Sequence, residues 1–310
     1  MLCGMVNVTR GVRTTHSSSS MALPTGWQLD GADGPPILGS TDKHVEHPRG
    51  VLILCHGFKG YMDYGLFPRL AAVAAGQGLL VHRFNFSHSG MTRETDTFER
   101  PDLFERDTWG KQIQDLRAVA EAVATGQLDG QGLPMVWFGH SRGGVTVTLT
   151  ASRAFADPQA EHVRPAGIAI ASTPDVACSL SEQDREKMRR DGRLLSPSGR
   201  TGQRLFVGKP WLDEIEADPE AFDPKLAAER VPCPTLIVHG GEDQTVNASA
   251  AIALSQRFPA SEIEVIGGAS HTYNCPNPLP HDAEPPEATA RMMDRVTGFA
   301  VGGCDAQASV

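Results

Sequence analysis

The most restrictive feature of the 310-residue sequence is the apolar run Met135-Val136-Trp137-Phe138, which ends directly against Gly139-His140-Ser141-Arg142-Gly143-Gly144. A near-continuous apolar run this short fits a strand buried on both faces. The residues that follow, Gly143 to Phe155, read as a helix. Almost no chain is left for the connection, so the backbone must pass from extended to helical through one sharp turn. Ser141 then sits at a strained backbone angle, and Gly139 and Gly143 are needed because Cβ atoms there would clash. Gly144 adds room. This strand–turn–helix setting of G-x-S-x-G predicts a nucleophilic serine, raised above the carboxyl ends of the strands where open α/β sheets bind ligands. The positive end of the following helix would favour a developing oxyanion.

Other apolar runs recur at regular intervals. Val51–Leu54 comes first, then Leu79–Val81 leading to Phe84 and Phe86, then the run before Ser141. Ile168–Ile170, Leu236–Val238 and the alternating Ile263–Ile266 follow. Helical patterns fall between them at Gly65–Ala75, Thr108–Thr125, Gly143–Phe155, Asn247–Arg257 and Pro286–Ala300. Strand–helix alternation predicts an α/β fold with a doubly wound, mostly parallel sheet. Trp27–Asp30 and Pro36–Ser40 are expected to add an antiparallel edge. The expected organisation is a disordered segment at 1–20, core at 21–174 and 231–304, and a tail at 305–310. Met21 is a candidate translation start. The interval 175–230 breaks the alternation and is too long for a plain connection, which predicts a cap inserted before the acid-bearing strand. Within it, Phe206, Trp211 and Leu212 are expected to contact substrate.

A serine nucleophile needs a base, an acid that orients the base, and donors for the oxyanion. The loop His56-Gly57-Phe58-Lys59-Gly60 follows the first strong strand, so the backbone N–H groups of Phe58 and Arg142 are assigned to the oxyanion hole. As main-chain donors they depend little on side-chain identity. His56 is read as a loop anchor. In this chain order the acid precedes the base. Asp243 lies at the carboxyl end of the fifth run, with Glu242 and, more weakly, Asp175 as rivals. His271, in Gly267-Gly268-Ala269-Ser270-His271, is the expected base, ahead of His239 and His281.

Strand-HGF, GHSRGG, GGEDQTV and GGASHTY, in that order, resemble the α/β-hydrolase superfamily over about residues 45–300. The stretch Arg83 to Gly90 resembles the post-strand loop of bacterial feruloyl/cinnamoyl-esterase-like and acyl-peptidase-like hydrolases. Asn85 and Ser89 depart from that pattern, where Asp and Gly would be expected, and residues 91–107 form a longer, more charged connection. The resemblance implies a small-molecule carboxylic ester as substrate, no metal and a cap before the acid strand. A thioesterase or a hydrolase of activated C–C bonds would use the same residues. A serine in the nucleophile slot argues against haloalkane dehalogenase or epoxide hydrolase chemistry. A non-catalytic binding protein on the same scaffold is the alternative from another class.

Composition narrows the partners. The net charge is −9 and no Lys/Arg run exceeds Arg189-Arg190, which argues against nucleic acid. No stretch is apolar enough for a membrane span. The six cysteines form no C-x-x-C pair, which predicts a reduced, cytoplasmic protein. G-x-G-x-x-G after the first strand, a Walker A loop and metal-ligand spacings are all missing, so no cofactor and no metal are expected.

Overall fold

The computed structural model describes residues 24–308. The expected disordered stretch 1–20, Met21 and Cys3 lie outside them. β1 (Thr25–Asp30) and β2 (Pro36–Asp42) form the anticipated antiparallel hairpin. β3 (Gly50–Cys55), α1 (Phe67–Gly76), β4 (Leu79–Asn85), α2 (Pro101–Glu105) and α3 (Trp109–Ala124) follow. Next come β5 (Met135–His140), α4 (Arg142–Ala156) and β6 (Gly167–Ala171). The interval before the next core strand holds α5 (Glu182–Asp191), a hairpin of β7 (Arg193–Leu195) and β8 (Phe206–Gly208), α6 (Lys209–Ala217) and α7 (Pro224–Ala228). β9 (Thr235–Gly240), α8 (Ser249–Ser255), β10 (Ser261–Ile266) and α9 (Glu287–Ala308) complete the chain.

The main sheet has the order β1-β2-β4-β3-β5-β6-β9-β10. β2 runs antiparallel to both its neighbours and the remaining pairs are parallel. β3, β4, β5, β6 and β9 are buried along their whole length; their apolar residues suit burial on both faces, and the buried His82, Arg83 and Asn85 of β4 have hydrogen-bond partners. The pleat sorts their side chains by alternation. Ile53, Trp137, Ile168 and Ile237 join one core with α3, α4 and α8, whereas Leu52, Leu54, Phe138 and Leu236 join the other with α1 and α9. Each such buried side chain contributes roughly 1.5–3 kcal/mol. Strand pairing brings Cys55 beside Gly139, His140 beside Ala171, and Ala171 beside Val238. The loops after β3, β5, β6 and β9 therefore leave the sheet along one edge.

One segment differs in extent from the sequence reading. Residues 305–310 were expected as a tail, but α9 continues to Ala308. Cys304 is buried against Gly50, and Asp305 pairs with Arg49 at 3.0 Å, so the last helical turns are held by tertiary contacts that periodicity does not reveal. The interval 175–230 carries its own elements. Met188, Trp211, Leu212, Ile215 and Phe222 cluster with Trp109 and Ile113 of α3 and with Val145 and Leu149 of α4. Among the described residues no helix is long and apolar enough to cross a membrane, and the described cysteines are unpaired.

One buried carboxylate ties the hairpin to the sheet. Asp115 of α3 accepts from the Ala32 N–H at 2.9 Å, the Ser87 N–H at 2.7 Å and the Ser87 hydroxyl at 3.1 Å. Burial pushes its carboxyl up to about 6, against the pull of these donors. A carboxyl raised above its unfolded value of ~3.9 holds its proton longer in the native state, so its contribution to stability falls as pH rises through that window. The difference in Tm between Asp115→Asn and wild type should therefore shift in the variant's favour between about pH 4 and 6. A constant difference across that range would mean that Asp115 ionises in the fold as it does in the unfolded chain.

Candidate active site

The turn between β5 and α4 places Ser141 at φ 55° and ψ −121°, a region L-residues rarely occupy. Its N–H donates to the Ala171 carbonyl at 2.7 Å, and its own carbonyl accepts from Gly144 at 2.9 Å. A Cβ on Gly139 would overlap the Gly143 backbone. One on Gly143 would overlap the Cys55 and His56 carbonyls, and one on Gly144 would overlap the Thr173 hydroxyl. The glycines thus admit the end of β3 and the loop after β6 as well as the turn itself.

Asp243 follows β9. The N–H groups of Thr245 and Val246 donate to its Oδ1 at 2.8 and 2.9 Å, which leaves Oδ2 for the Nδ1 of His271 at 2.7 Å. Burial alone would raise this carboxyl. The hydrogen bonds from His271 and Val246, with the His239 ring 3.5 Å away, outweigh burial and hold it well below the usual carboxylate range. His239 also donates through Nε2 to the Val246 carbonyl at 2.9 Å. With Nδ1 of His271 donating to Asp243, its Nε2 is the acceptor and lies 3.0 Å from Ser141 Oγ.

The His271 loop is fixed from several sides. His140 Nε2 donates to the His271 carbonyl at 2.8 Å. The buried Tyr273 donates its hydroxyl to Val238 at 3.0 Å and accepts from Ser172 at 3.1 Å. Asn274 bridges Gly268 and Ser270. His140 is lowered to about 3 by burial and by the neighbouring His271, so it stays neutral in this role.

The structure brings Ser141, His271 and Asp243 together; the rival base His239 lies 3.5 Å from Asp243 but bonds the Val246 carbonyl rather than the serine, and Asp175 lines the cavity beside Ser141 without joining this hydrogen-bonded line. Glu242 is exposed, Asp175 lies 3.4 Å from Lys225, and His281 is exposed. His56 donates through Nδ1 to the Gly57 carbonyl at 2.9 Å and accepts from the Phe86 N–H at 3.3 Å. Burial lowers it to about 4. Asn85, where an Asp was expected, uses both ends of its amide, accepting from Met62 N–H and donating to the Thr92 carbonyl. The loop after β3 abuts the turn, since a Cβ on Gly57 would lie 3.1 Å from that of Ser141. Among the described residues, neither the Phe58 nor the Arg142 N–H has a protein acceptor.

Two cavities meet at Ser141 and Phe58. One, of about 410 Å³, is lined by Trp109, Arg142, Met188, Val207 and Trp211. The other, of about 220 Å³, is lined by His271, Thr272, Lys59, Tyr64 and Arg200. Of the three side chains expected to contact substrate, Trp211 lines the large cavity. Leu212 is fully buried in the cluster beneath it. Phe206 points to the opposite face of its strand from Val207 and lies under the Arg193 guanidinium at 4.0 Å.

Sequence reasoning missed the side chain of Arg142. Its guanidinium lies 4.5 Å from the Trp109 ring centre and 5.5 Å from those of Trp211 and Phe58, with Nη2 3.3 Å from Asp107 Oδ2. A cation in the first turn of a helix opposes the macrodipole, and that was the available sign that this position serves something else. Among the described residues no group of His, Cys, Asp and Glu has the arrangement to hold a metal ion.

The sequence model described as "Alpha/beta hydrolase family" matches residues 52–292. No curated protein matches the chain in sequence. Among solved structures, a putative hydrolase from Agrobacterium vitis S4 aligns with TM-score 0.69 at 15% identity, covering 90% of this chain and 100% of its own. Est1E from Butyrivibrio proteoclasticus, in a structure with ferulic acid bound, aligns with TM-score 0.62 at 18% identity, covering 91% and 99%. The esterase domain of a Rhodothermus marinus protein aligns with TM-score 0.57 at 19% identity, covering 90% and 98%. At these identities the likeness is one of fold.

The packing at the turn makes a direct test. Gly143→Ala should cost about 1–3 kcal/mol in chemical denaturation, because its methyl meets backbone oxygens that cannot rotate away. Gly298→Ala, in α9 with open space around it, should instead gain about 0.5–1 kcal/mol. Equal effects of the two would contradict the steric account.

Proposed function

The chain belongs to the α/β-hydrolase family, and we propose that it is a serine hydrolase acting on carboxylic esters. The observation that carries the reading is the continuous hydrogen-bonded line from Asp243 through His271 to Ser141, at 2.7 and 3.0 Å, beside two unengaged backbone donors. Ser141 Oγ attacks the acyl carbon while His271 Nε2 takes its proton. The imidazolium so formed faces the ionised Asp243. The carbonyl oxygen becomes an oxyanion and takes the N–H groups of Phe58 and Arg142, assisted by the N-terminus of α4. His271 then passes its proton to the departing oxygen, leaving an acyl-enzyme. Water activated by the same imidazole releases the acid.

The position of the proton donor assigns the two cavities. The leaving oxygen must lie within reach of His271, which lines only the smaller cavity. The leaving group therefore occupies the space of about 220 Å³ and the acyl group that of about 410 Å³. The interval 175–230 acts as a cap in this reading, since Met188, Leu194, Val207 and Trp211 form part of the acyl wall.

An organophosphonate probe should place one label on the peptide containing Ser141, and Ser141→Ala should abolish it with a loss on the order of 10⁴-fold or more in kcat. Labelling that survives this substitution would remove the nucleophile. Asp243→Asn should cost roughly 10³–10⁴ in kcat through loss of ring orientation. Glu242→Gln should leave kcat within a few fold, and a larger loss there than at Asp243 would reassign the acid.

A further inference from the structure

The two cavities that meet at Ser141 differ in charge. The larger holds both signs, since Arg142 and Asp175 line it. The smaller is lined by Lys59 and Arg200 and by no carboxylate, and Asp243 reaches it only through His271. Lys59 belongs to the loop after β3 that carries Phe58, and Arg200 to the turn between β7 and β8. Lys59 is half-buried and Arg200 exposed, so both keep surface open to a ligand. The Lys59 ammonium lies 5.1 Å from the Phe58 ring centre and donates to the Pro197 carbonyl at 2.7 Å. The Arg200 guanidinium lies 4.8 Å from the Tyr61 ring centre and donates to the Thr95 carbonyl and, at 3.5 Å, to the Met91 sulfur. Tyr64 packs edge-on against Tyr61, and the Arg200 charge acts on its hydroxyl. Phe58 and Tyr64 line the same cavity, which sets both charges at its wall. Every one of these partners is neutral, and among the described residues neither cation has a carboxylate within ion-pair distance. Burial lowers Lys59 with no opposing charge beside it. Lys59 also keeps a left-handed φ of 57°, a costly conformation that clusters at ligand-binding sites. In a chain with 37 acidic residues against 28 basic ones, two accessible cations facing one small cavity make a local positive field.

We propose that the smaller cavity recognises an anion, and that the preferred substrate is an ester whose alcohol or phenol carries one negatively charged group, a carboxylate or a phosphate, set against Lys59 and Arg200. The inference rests on the ester-hydrolase reading and on its placing of the leaving group beside His271. It goes beyond that reading by naming the chemistry of the leaving group. An ammonium donates as a point charge and a guanidinium as a planar fork, and both suit an anionic oxygen. Partial enclosure lets these charges count. On open surface salt would screen them, and in a sealed interior they would need a permanent counter-ion. The field draws an anionic ester toward the serine. It then faces the charged substituent while His271 Nε2 gives its proton to the departing oxygen. If the two cations instead served only to pin the β7–β8 turn through Pro197 and Thr95, they would make no distinction among leaving groups of one shape.

The test uses the full-length protein and butyrate esters of phenols that share one shape: 4-hydroxyphenylacetate, its neutral amide 4-hydroxyphenylacetamide, 4-hydroxybenzylphosphonate and the cationic 4-(trimethylammoniomethyl)phenol. The methylene insulates the reacting oxygen from the charge, and each rate is normalised to that with hydroxide. At low ionic strength the better of the two anionic esters should exceed the amide by about 5-fold or more in kcat/KM, and the cationic ester should fall below the amide. The larger of the two anion ratios names the anion. The preference should weaken as salt rises to about 0.5 M. Lys59→Gln and Arg200→Gln should each cut the ratio by about two- to threefold, and the double variant should bring it near unity. Arg200→Glu should raise the cationic ester relative to the amide. A wild-type ratio near unity for both anions overturns the proposal even if no variant folds, and so does a ratio that persists in the double variant. A uniform loss on all the esters with the ratio kept would assign the two cations to pinning the turn. The p-nitrophenyl half-ester of succinate carries its charge on the acyl side, and a preference for it that depends on Lys59 and Arg200 would reverse the cavity assignment and overturn the proposal. If no ester is turned over and Ser141 takes no phosphonate label, the ester-hydrolase reading itself has failed. Turnover of the amide-bearing ester without an anion preference defeats only this inference.

Discussion

The arrangement at this site depends on how closely three backbones approach one another behind Ser141. The turn from β5 to α4, the end of β3 and the loop after β6 come within contact of one another, and each contact passes through a glycine that has no room for a methyl group. That approach places the loop carrying Phe58 against the serine. It also requires Ser141 to keep a left-handed φ of 55°, a conformation that costs of order 1–3 kcal/mol and persists only where the surroundings over-determine it. Here they do, through the bonds to Ala171 and Gly144 and the fully buried strands on either side.

Much of this was legible in the sequence because the determinants are local. The buried strands announce themselves by short apolar runs, and the turn is written in Gly139, Ser141 and Gly143, which impose a steric requirement on their own neighbours. Asp243 and His271 could be placed because each sits one short loop past a strand end, where register alone carries it to the correct edge of the sheet. Substrate-facing residues were less accessible. Phe206 and Val207 are adjacent and both apolar, and only the pairing of β8 with β7 decides which faces the cavity. Leu212 and Trp211 differ in the same way by one step of helix. The end of α9 was hidden for a related reason, since its last turns owe their order to Gly50 and Arg49, far away in sequence.

The polar groups around the site were the least visible. His140, His239 and Tyr273 neither attack nor transfer protons in the proposed scheme. They supply donors to the carbonyls of His271, Val246 and Val238, and these bonds hold the loops that carry His271 and Asp243. Nothing in local sequence distinguishes such a histidine from a candidate base, because the distinction is burial: His140 is lowered to about 3 and cannot hold a charge near neutrality. The same burial makes Arg142 informative, because a cation that cannot shed its charge must be met by its surroundings, and Asp107 meets it only in part.

The division of space around Ser141 has a kinetic side. The two cavities share the serine and Phe58 but have different walls. On the proposed reading the first product departs from the smaller cavity while the acyl chain remains held beneath the interval 175–230. The second nucleophile must then arrive on the His271 side, in the room just vacated, because only there is a base within reach of it. Water is one candidate for that room, and any alcohol small enough to re-enter it is another. The partition between hydrolysis and acyl transfer is thus governed by the walls of the lesser cavity, whereas the choice of acid is governed by the greater. The two selections are spatially separate, so each can change without disturbing the other.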